Sequence, residues 1–348
     1  MPRILIPSDE QAYVDGLAQA YRRLGCDVVV GTHNFTLRTA DFDLVHLQWP
    51  EELSGWRPPS PETLDLLCAS LDYWTTHSRV LATVHNLYPH GYEGDPRYVE
   101  MFDRFYGRAT IVHHFSRTSS DLVRAAFPSS RDNRHMVTTL FNYDYLLPPE
   151  QDRSGARAEL GLADDEVVFL IFGALRMWKE VELIQSAWKL APTRRKRLLM
   201  AGRYNEVHSG SRIGKRIRRW RWDSWLRRQN AVVVRGYVPD NRVHRLFAAA
   251  DVAVIPRVEG LSSGMPSMAM TFGKLFVAPD HGAFPEYVGA TGNLLYESCN
   301  PASLARAIDA SASLDRDRIG EQNREASGSW SWDGIAAQFL QESLLKSN

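Results

Sequence analysis

The chain has 348 residues, enough for two domains of ordinary size, and its 44% hydrophobic and 24% charged residues are typical of a globular protein. Lysine plus arginine and aspartate plus glutamate number 41 each, so no overall field calls for nucleic acid. No apolar run is long enough to span a membrane, and the scattered Cys26, Cys68 and Cys299 exclude a zinc spacing or a disulfide scaffold and point to a reducing compartment.

The start, MPRILIPSDE, is strand-like and too short for a signal peptide, so a cytoplasmic protein is expected. In chain order, RILIPS (3–8) reads as a strand, AYVDGLAQAYRRLG (12–25) as a helix and DVVVGT (27–32) as a second strand. FDLVHLQWP (42–50), RVLATVHNL (79–87) and ATIVHHFS (109–116) continue the strands, with helical stretches between them. The segment 142–155 is polar, proline-bearing and aperiodic, and reads as a linker. The pattern then restarts with strands at 166–175, 196–202, 230–238, 250–256 and 274–280, and helices at 181–190 and 241–250 among them. Strands alternating with helices predict an α/β protein of two doubly wound, Rossmann-like domains, 1–148 and 149–330, facing a central cleft. A C-terminal helix within 331–348 is expected to cross back to the first domain.

Ligands of such sheets bind beyond the carboxyl ends of the strands. Those ends carry His46, Gln48 and Glu51 in HLQWPE, and His85, Asn86 and His90 in HNLYPH, with Glu93 and Asp95 just after. In the second half they carry Arg176 and Lys179 in GALRMWKE, and Glu259, Ser262, Ser263 and Gly264 in EGLSSG. Two cations can neutralise a departing diphosphate, and a carboxylate or imidazole can take an acceptor's hydroxyl proton. Residues 262–274, SSGMPSMAMTFGK, predict a buried helix over 265–273 whose serines and glycine leave backbone N–H groups for an anion. The local pattern alone fits an ordinary capped core helix as well.

The stretch 211–229, SRIGKRIRRWRWDSWLRRQ, holds eight Lys or Arg, three Trp and a single acid, Asp223, with Ile213, Ile217 and Trp220 at helical spacing. Three readings stand beside one another: a solvated helix with its tryptophans turned inward, an interfacial helix on anionic lipid over Arg212–Arg228, and a nucleic-acid surface. Nothing else in the chain is basic enough to favour the last.

FGALRMWKEVELIQSAWKL, YVPDNRVHRLFAAADVAVIP, GKLFVAPDHGAFPEYVGATGNLL and WSWDGIAAQFL resemble stretches of GT-B-fold glycosyltransferases near family 4, with Glu180 in place of a usual glycine. The resemblance covers nearly the whole chain and is strongest over 166–340. Many family 4 enzymes carry a Glu-x7-Glu pair whose second member grips the ribose; here that count from Glu259 lands on Ser267. HLQWPE, HNLYPH and SSGMPSMAMTFGKLFVAP are similar instead to a smaller branch, the xanthan β-mannosyltransferase type, which has histidine at Gln48 and asparagine at Ser262. The resemblance implies an inverting, metal-independent hexosyltransferase in polysaccharide assembly, using GDP-mannose and a glycan or lipid-linked acceptor. A retaining transferase with a UDP-sugar donor and a non-catalytic sugar-nucleotide binder are the alternatives. On this reading the donor is held by Arg176, Lys179, Glu259, Ser262, Ser263, Gly264 and Val238, and the acceptor by His46, Gln48, Glu51, Asn86 and His90. The base is expected among Glu51, His85, His90, Glu93 and Asp95. Glu93 or Asp95 is favoured to take the proton while His85 orients the sugar, and His85 as base is the alternative.

Overall fold

The computed structural model describes every residue except 10–11, 39–40, 90–91, 93, 149–151, 205–210, 290 and 345–348. The chain forms two compact units, one built from 1–141 and 330–348 and the other from 142–329. The division falls after Phe141, and residues 142–147 already belong to the second unit, where the Tyr143 amide donates to Thr271 Oγ1 at 3.1 Å.

The first unit has six parallel strands: β1 (Arg3–Ile6), β2 (Asp27–Val30), β3 (Leu44–Leu47), β4 (Arg79–Thr83), β5 (Ile111–His114) and β6 (Arg134–Val137). Their order is β2-β1-β3-β4-β5-β6, so the winding reverses between β1 and β3. The predicted strands are shorter than expected at their carboxyl ends. The 42–50 strand stops at Leu47 because Pro50 opens a helix, Pro50–Leu53, with Trp49 as its extended N-cap. β6 has no apolar run and lies at the sheet edge, which is why the sequence pattern passes over it.

The helix Trp332–Leu344 packs on the helix Ala12–Arg23 within this unit. Trp332 stacks on Phe141 with ring centres 4.0 Å apart, and Phe339 is fully buried against the histidine rings of β3 and β5. Arg23 grips Asp333 with a 2.6 Å contact at the surface of the same helix pair.

The second unit has β7 (Val167–Leu175), β8 (Lys196–Tyr204), β9 (Val232–Arg235), β10 (Val252–Val254), β11 (Leu275–Pro279) and β12 (Leu294–Tyr296). All pair in parallel in the order β12-β11-β10-β7-β8-β9, so the reversal lies between β7 and β10. Gly173 and Gly202 face each other in the β7–β8 register, both at positive φ, and a Cβ at Gly202 would meet the Gly173 carbonyl. Arg157 is buried and fully occupied: it pairs with Asp251 at 2.6 Å and donates to the carbonyls of Ala163, Asp164, Glu166 and Ala249. Asp251 also accepts from the Val168 amide at 2.7 Å, so this ion pair locks the start of β10 beside β7.

Candidate functional site

In the second unit the reversal point between β7 and β10 is where a ligand crevice forms in a doubly wound sheet. Arg176 follows β7, and the helix Trp178–Leu190 starts two residues later with Lys179 exposed in its first turn. Glu180, which stands where the stretches it resembles carry a glycine, is buried. Its carboxylate accepts the amides of Arg176 at 2.6 Å and Met177 at 3.3 Å, capping the helix. Its other oxygen takes Arg257 Nη1, just past β10, at 2.8 Å, and the same Nη1 donates to the Ala174 carbonyl at 3.0 Å. One buried carboxylate thereby ties the ends of β7 and β10 together. Arg176 keeps part of its surface exposed, yet desolvation by the groups packed around it, and then the charge of Arg257, lower its guanidinium from its ordinary value. Cations that oppose one another in this way are relieved by an anion bound between them. Arg257 escapes a reading of the sequence, because a lone arginine in a loop carries no pattern.

The loop after Arg257 leads to the helix Met265–Thr271. That helix is two residues shorter than expected, and its N-cap is Gly264 rather than a serine. Ser263 accepts the Met265 amide at 3.3 Å, so one hydroxyl is spent on the turn, while Ser262 and Gly264 are half-buried beside it. A seven-residue helix has a weak dipole, so the charge for an anion comes from the arginines and Lys179. Gly282, at φ +58°, braces this loop from beneath: a Cβ there would strike the Gly260 and Leu261 carbonyls, and the Ala283 amide donates to Leu261 at 2.9 Å. Glu259 is exposed. Val238 is buried beside the exposed Tyr237, in a separate small cavity with Arg242 and Leu246.

In the first unit the reversal point lies between β1 and β3. Ser8 after β1 donates to Glu52 of the Pro50–Leu53 helix, and Glu52 also accepts the Asp9 amide at 3.0 Å. Gln48 Oε1 meets His85 Nε2 at 3.0 Å. His85 stacks on Trp49 at 4.0 Å and meets Tyr13 edge-on at 5.0 Å. The contact makes Nε2 the protonated nitrogen of His85 and leaves Gln48 Nε2 buried without a hydrogen-bond partner. Burial holds the His85 imidazole down at about 3, so it is neutral. Asn86 is half-buried next to it, and His90 and Glu93 lie outside the described residues.

Glu51 differs from its neighbours. It is 3% exposed, and burial, reinforced by the charge of Glu52, pushes its carboxyl up to about 7 against a backbone hydrogen bond that lowers it. Asp95, expected as a base, is instead the N-cap of the helix Pro96–Arg108. Its carboxylate accepts the Arg97 amide at 3.0 Å and pairs with the Arg97 guanidinium at 2.8 Å, which hold its pKa below the usual value. A carboxylate stabilised in its charged form is a poor proton acceptor.

His46, expected at the acceptor, is fully buried inside the sheet with both nitrogens occupied. It belongs to a line of hydrogen bonds running from Tyr21 through His46, Thr83 and His113 to Thr138, in steps of 2.9, 2.8, 3.1 and 2.8 Å. Thr138 donates onward to the Thr139 carbonyl, which fixes every direction upstream: both histidines carry their proton on Nε2 and accept at Nδ1. A second line, Ser119–His114–His135, ends at the Ser130 carbonyl and sets the same tautomers. These histidines hold the first sheet together.

Residues 166–313 match the family model described as glycosyl transferases group 1. No curated protein matches the sequence. In structure the chain is similar to a sucrose-phosphate synthase from Thermosynechococcus elongatus, with 19% identity, all of both chains covered and a TM-score of 0.74. It is similar to HepE from Anabaena, solved in complex with UDP and glucose, with 17% identity over 98% of this chain and 99% of that one at a TM-score of 0.71. A glycosyltransferase from Rickettsia africae shares 15% identity over 99% of each chain at 0.72. The chain thus has the two-domain GT-B fold, and the match to the glycosyl transferases group 1 model falls within its second unit.

Proposed function

We propose that this enzyme moves a hexose, mannose from GDP-mannose, onto a glycan or lipid-linked acceptor in polysaccharide assembly, with inversion and without a metal. The observation that carries this reading is the placement of Arg176 and Lys179 just after β7 and of Arg257, paired with the buried Glu180, just after β10, where the winding of the second sheet reverses. Protein cations there would balance the diphosphate as it leaves, with Ser262, Ser263 and Gly264 adding hydroxyl and amide contacts. The Ser-Ser-Gly loop, with Ser267 where a second glutamate would stand, supports the mannosyltransferase branch over the Glu-x7-Glu enzymes. In the first unit Gln48 would offer its unpartnered amide to a sugar hydroxyl, His85 would orient that hydroxyl, and Glu51 would take its proton. A lipid-linked acceptor places the enzyme on the face of a membrane, in contact through its basic helix.

A second reading, transfer from a UDP-sugar, is favoured by the UDP and glucose named for the Anabaena structure. Thermal unfolding with GDP, UDP, ADP and TDP separates the two. A ligand that binds only the native state stabilises it by about 2.7 kcal/mol at a hundred times its Kd. The largest shift is expected with GDP, together with GDP release from GDP-mannose when acceptor is supplied. A larger shift with UDP moves the assignment to the second reading, and no shift with any nucleotide overturns both.

A further inference from the structure

The helix Arg212–Arg228 is tied to the second unit along a single face. Trp222 and Leu226 are buried in the core, and Trp225 stacks on Trp222 at 5.1 Å. The tryptophans therefore divide. Trp220, two residues before Trp222 and about 200° around the helix from it, points away from the core. It forms a ridge with Ile213 and Ile217, at i, i+4 and i+7, with exposures of 73% at Ile213, 52% at Ile217 and 65% at Trp220. Arg216 and Arg227 flank this ridge on one side and Arg221 and Arg228 on the other, all exposed. The helix's one acid, Asp223, is spent in an ion pair with Arg235 at 2.8 Å. Beside the ridge a groove of about 640 Å³ is lined by Trp220, Arg221, Trp225, Arg227 and Arg228, with Gln185 across from them.

We propose that this face docks on an anionic phospholipid bilayer, with Ile213, Ile217 and Trp220 entering the boundary between headgroups and acyl chains and the flanking arginines binding lipid phosphates. An apolar ridge between two rows of guanidinium groups matches the layering of such a surface, in which phosphate lies above hydrocarbon. Nucleic acid would use the arginines and the tryptophan but offers nothing apolar for the two isoleucines. Among the described residues no helix is long and apolar enough to cross a membrane, so the contact is peripheral. The proposal deepens the lipid-linked reading of the acceptor and rests on it for its purpose, while the surface stands on its own residues.

The test is co-sedimentation of the full chain with vesicles of phosphatidylcholine alone and with added phosphatidylglycerol. Retention is expected only with the anionic lipid and should weaken as salt rises. Ile213→Ser/Ile217→Ser/Trp220→Ser should abolish retention at moderate salt. Arg216→Gln/Arg227→Gln/Arg228→Gln should lower the partition by about a hundredfold, at roughly fivefold per arginine. Both variants should keep the unfolding temperature and the wild-type rate of sugar transfer to a water-soluble acceptor. Equal sedimentation with both vesicles, or retention of both variants at the wild-type level, overturns the proposal, as does binding to an RNA oligonucleotide in place of vesicles. Loss of transfer in the wild type alongside intact vesicle binding would sink the functional reading and leave the surface standing.

Discussion

Glu51→Gln is expected to lower kcat by about a hundredfold or more with saturating donor, the cost of removing a general base. Glutamine keeps the size of the side chain and removes the ionisable oxygen. Nucleotide affinity, which the proposal assigns to the second unit, should not move. The wild-type rate should rise with pH through about 7, where the Glu51 carboxyl ionises, and this limb should vanish in Glu51→Gln. A group titrating at 7 is suited to proton transfer at neutral pH, whereas His85, held at about 3, is too weak a base and Asp95 is neutralised by Arg97. The parallel arm is Glu93→Gln. If that variant loses the rate and Glu51→Gln keeps it with an unchanged pH limb, the base is Glu93 and the Glu51 assignment is wrong.

The second large effect is acid lability. His46, His113 and His114 are fully buried, neutral and committed as both donor and acceptor. Burial lowers His46 and His114 to about 3 and His113 well below its ordinary value. Their folded pKa values are depressed below the unfolded value of about 6.5. The stability they contribute is therefore fully present above that pH and is lost as pH falls. By pH 5 each should have cost about 2 kcal/mol, because only the unfolded chain takes the proton. Glu51 acts with the opposite sign. Its raised pKa penalises the fold as pH rises from about 4.5 to 7, so acidification returns about 2 kcal/mol. With His85, which burial also holds at about 3, adding a fourth such contribution, the net loss between pH 7 and pH 5 is roughly 5–6 kcal/mol, a large share of a typical domain's stability. Denaturant unfolding of the full chain across this range should show about three protons taken up near pH 5.5. An unfolding free energy flat from pH 7 to 5 would contradict the tautomer assignment of both histidine lines.

Much of the fold was legible in the sequence because parallel strands buried on both faces are near-continuous apolar runs, as in VVFLIFGAL and LFVAP. β6 and β12 were not, the first being polar at an edge and the second three residues long. Arg176 and Lys179 were singled out from their place after a strand, but the contacts around them were not legible. Arg257 acquires meaning only when Glu180 is seen to reach it, and Glu180 appeared in the sequence only as a missing glycine. His46 and Asp95 misled for a common reason. Sequence order places a polar residue near a strand end but does not say on which side of the sheet its hydrogen bonds are made. His46 turned inward to Tyr21 and Thr83, and Asp95 turned to its own helix. Glu51 was read as an acceptor contact and as one of five candidate bases, with Glu93 or Asp95 favoured over it, because only burial sets it apart from Glu52 one residue away.

The central claim is that a nucleoside diphosphate is held by the cations at the reversal point of the second sheet, and calorimetric titration of that nucleotide tests it most directly. Arg176→Ala and Lys179→Ala should each weaken binding by about 1.5–3 kcal/mol, roughly ten- to a hundredfold or more, if their bonds to phosphate are direct. Glu51→Gln, in the other unit, should bind as the wild type does. Unchanged affinity in both the arginine and the lysine variants would contradict the account.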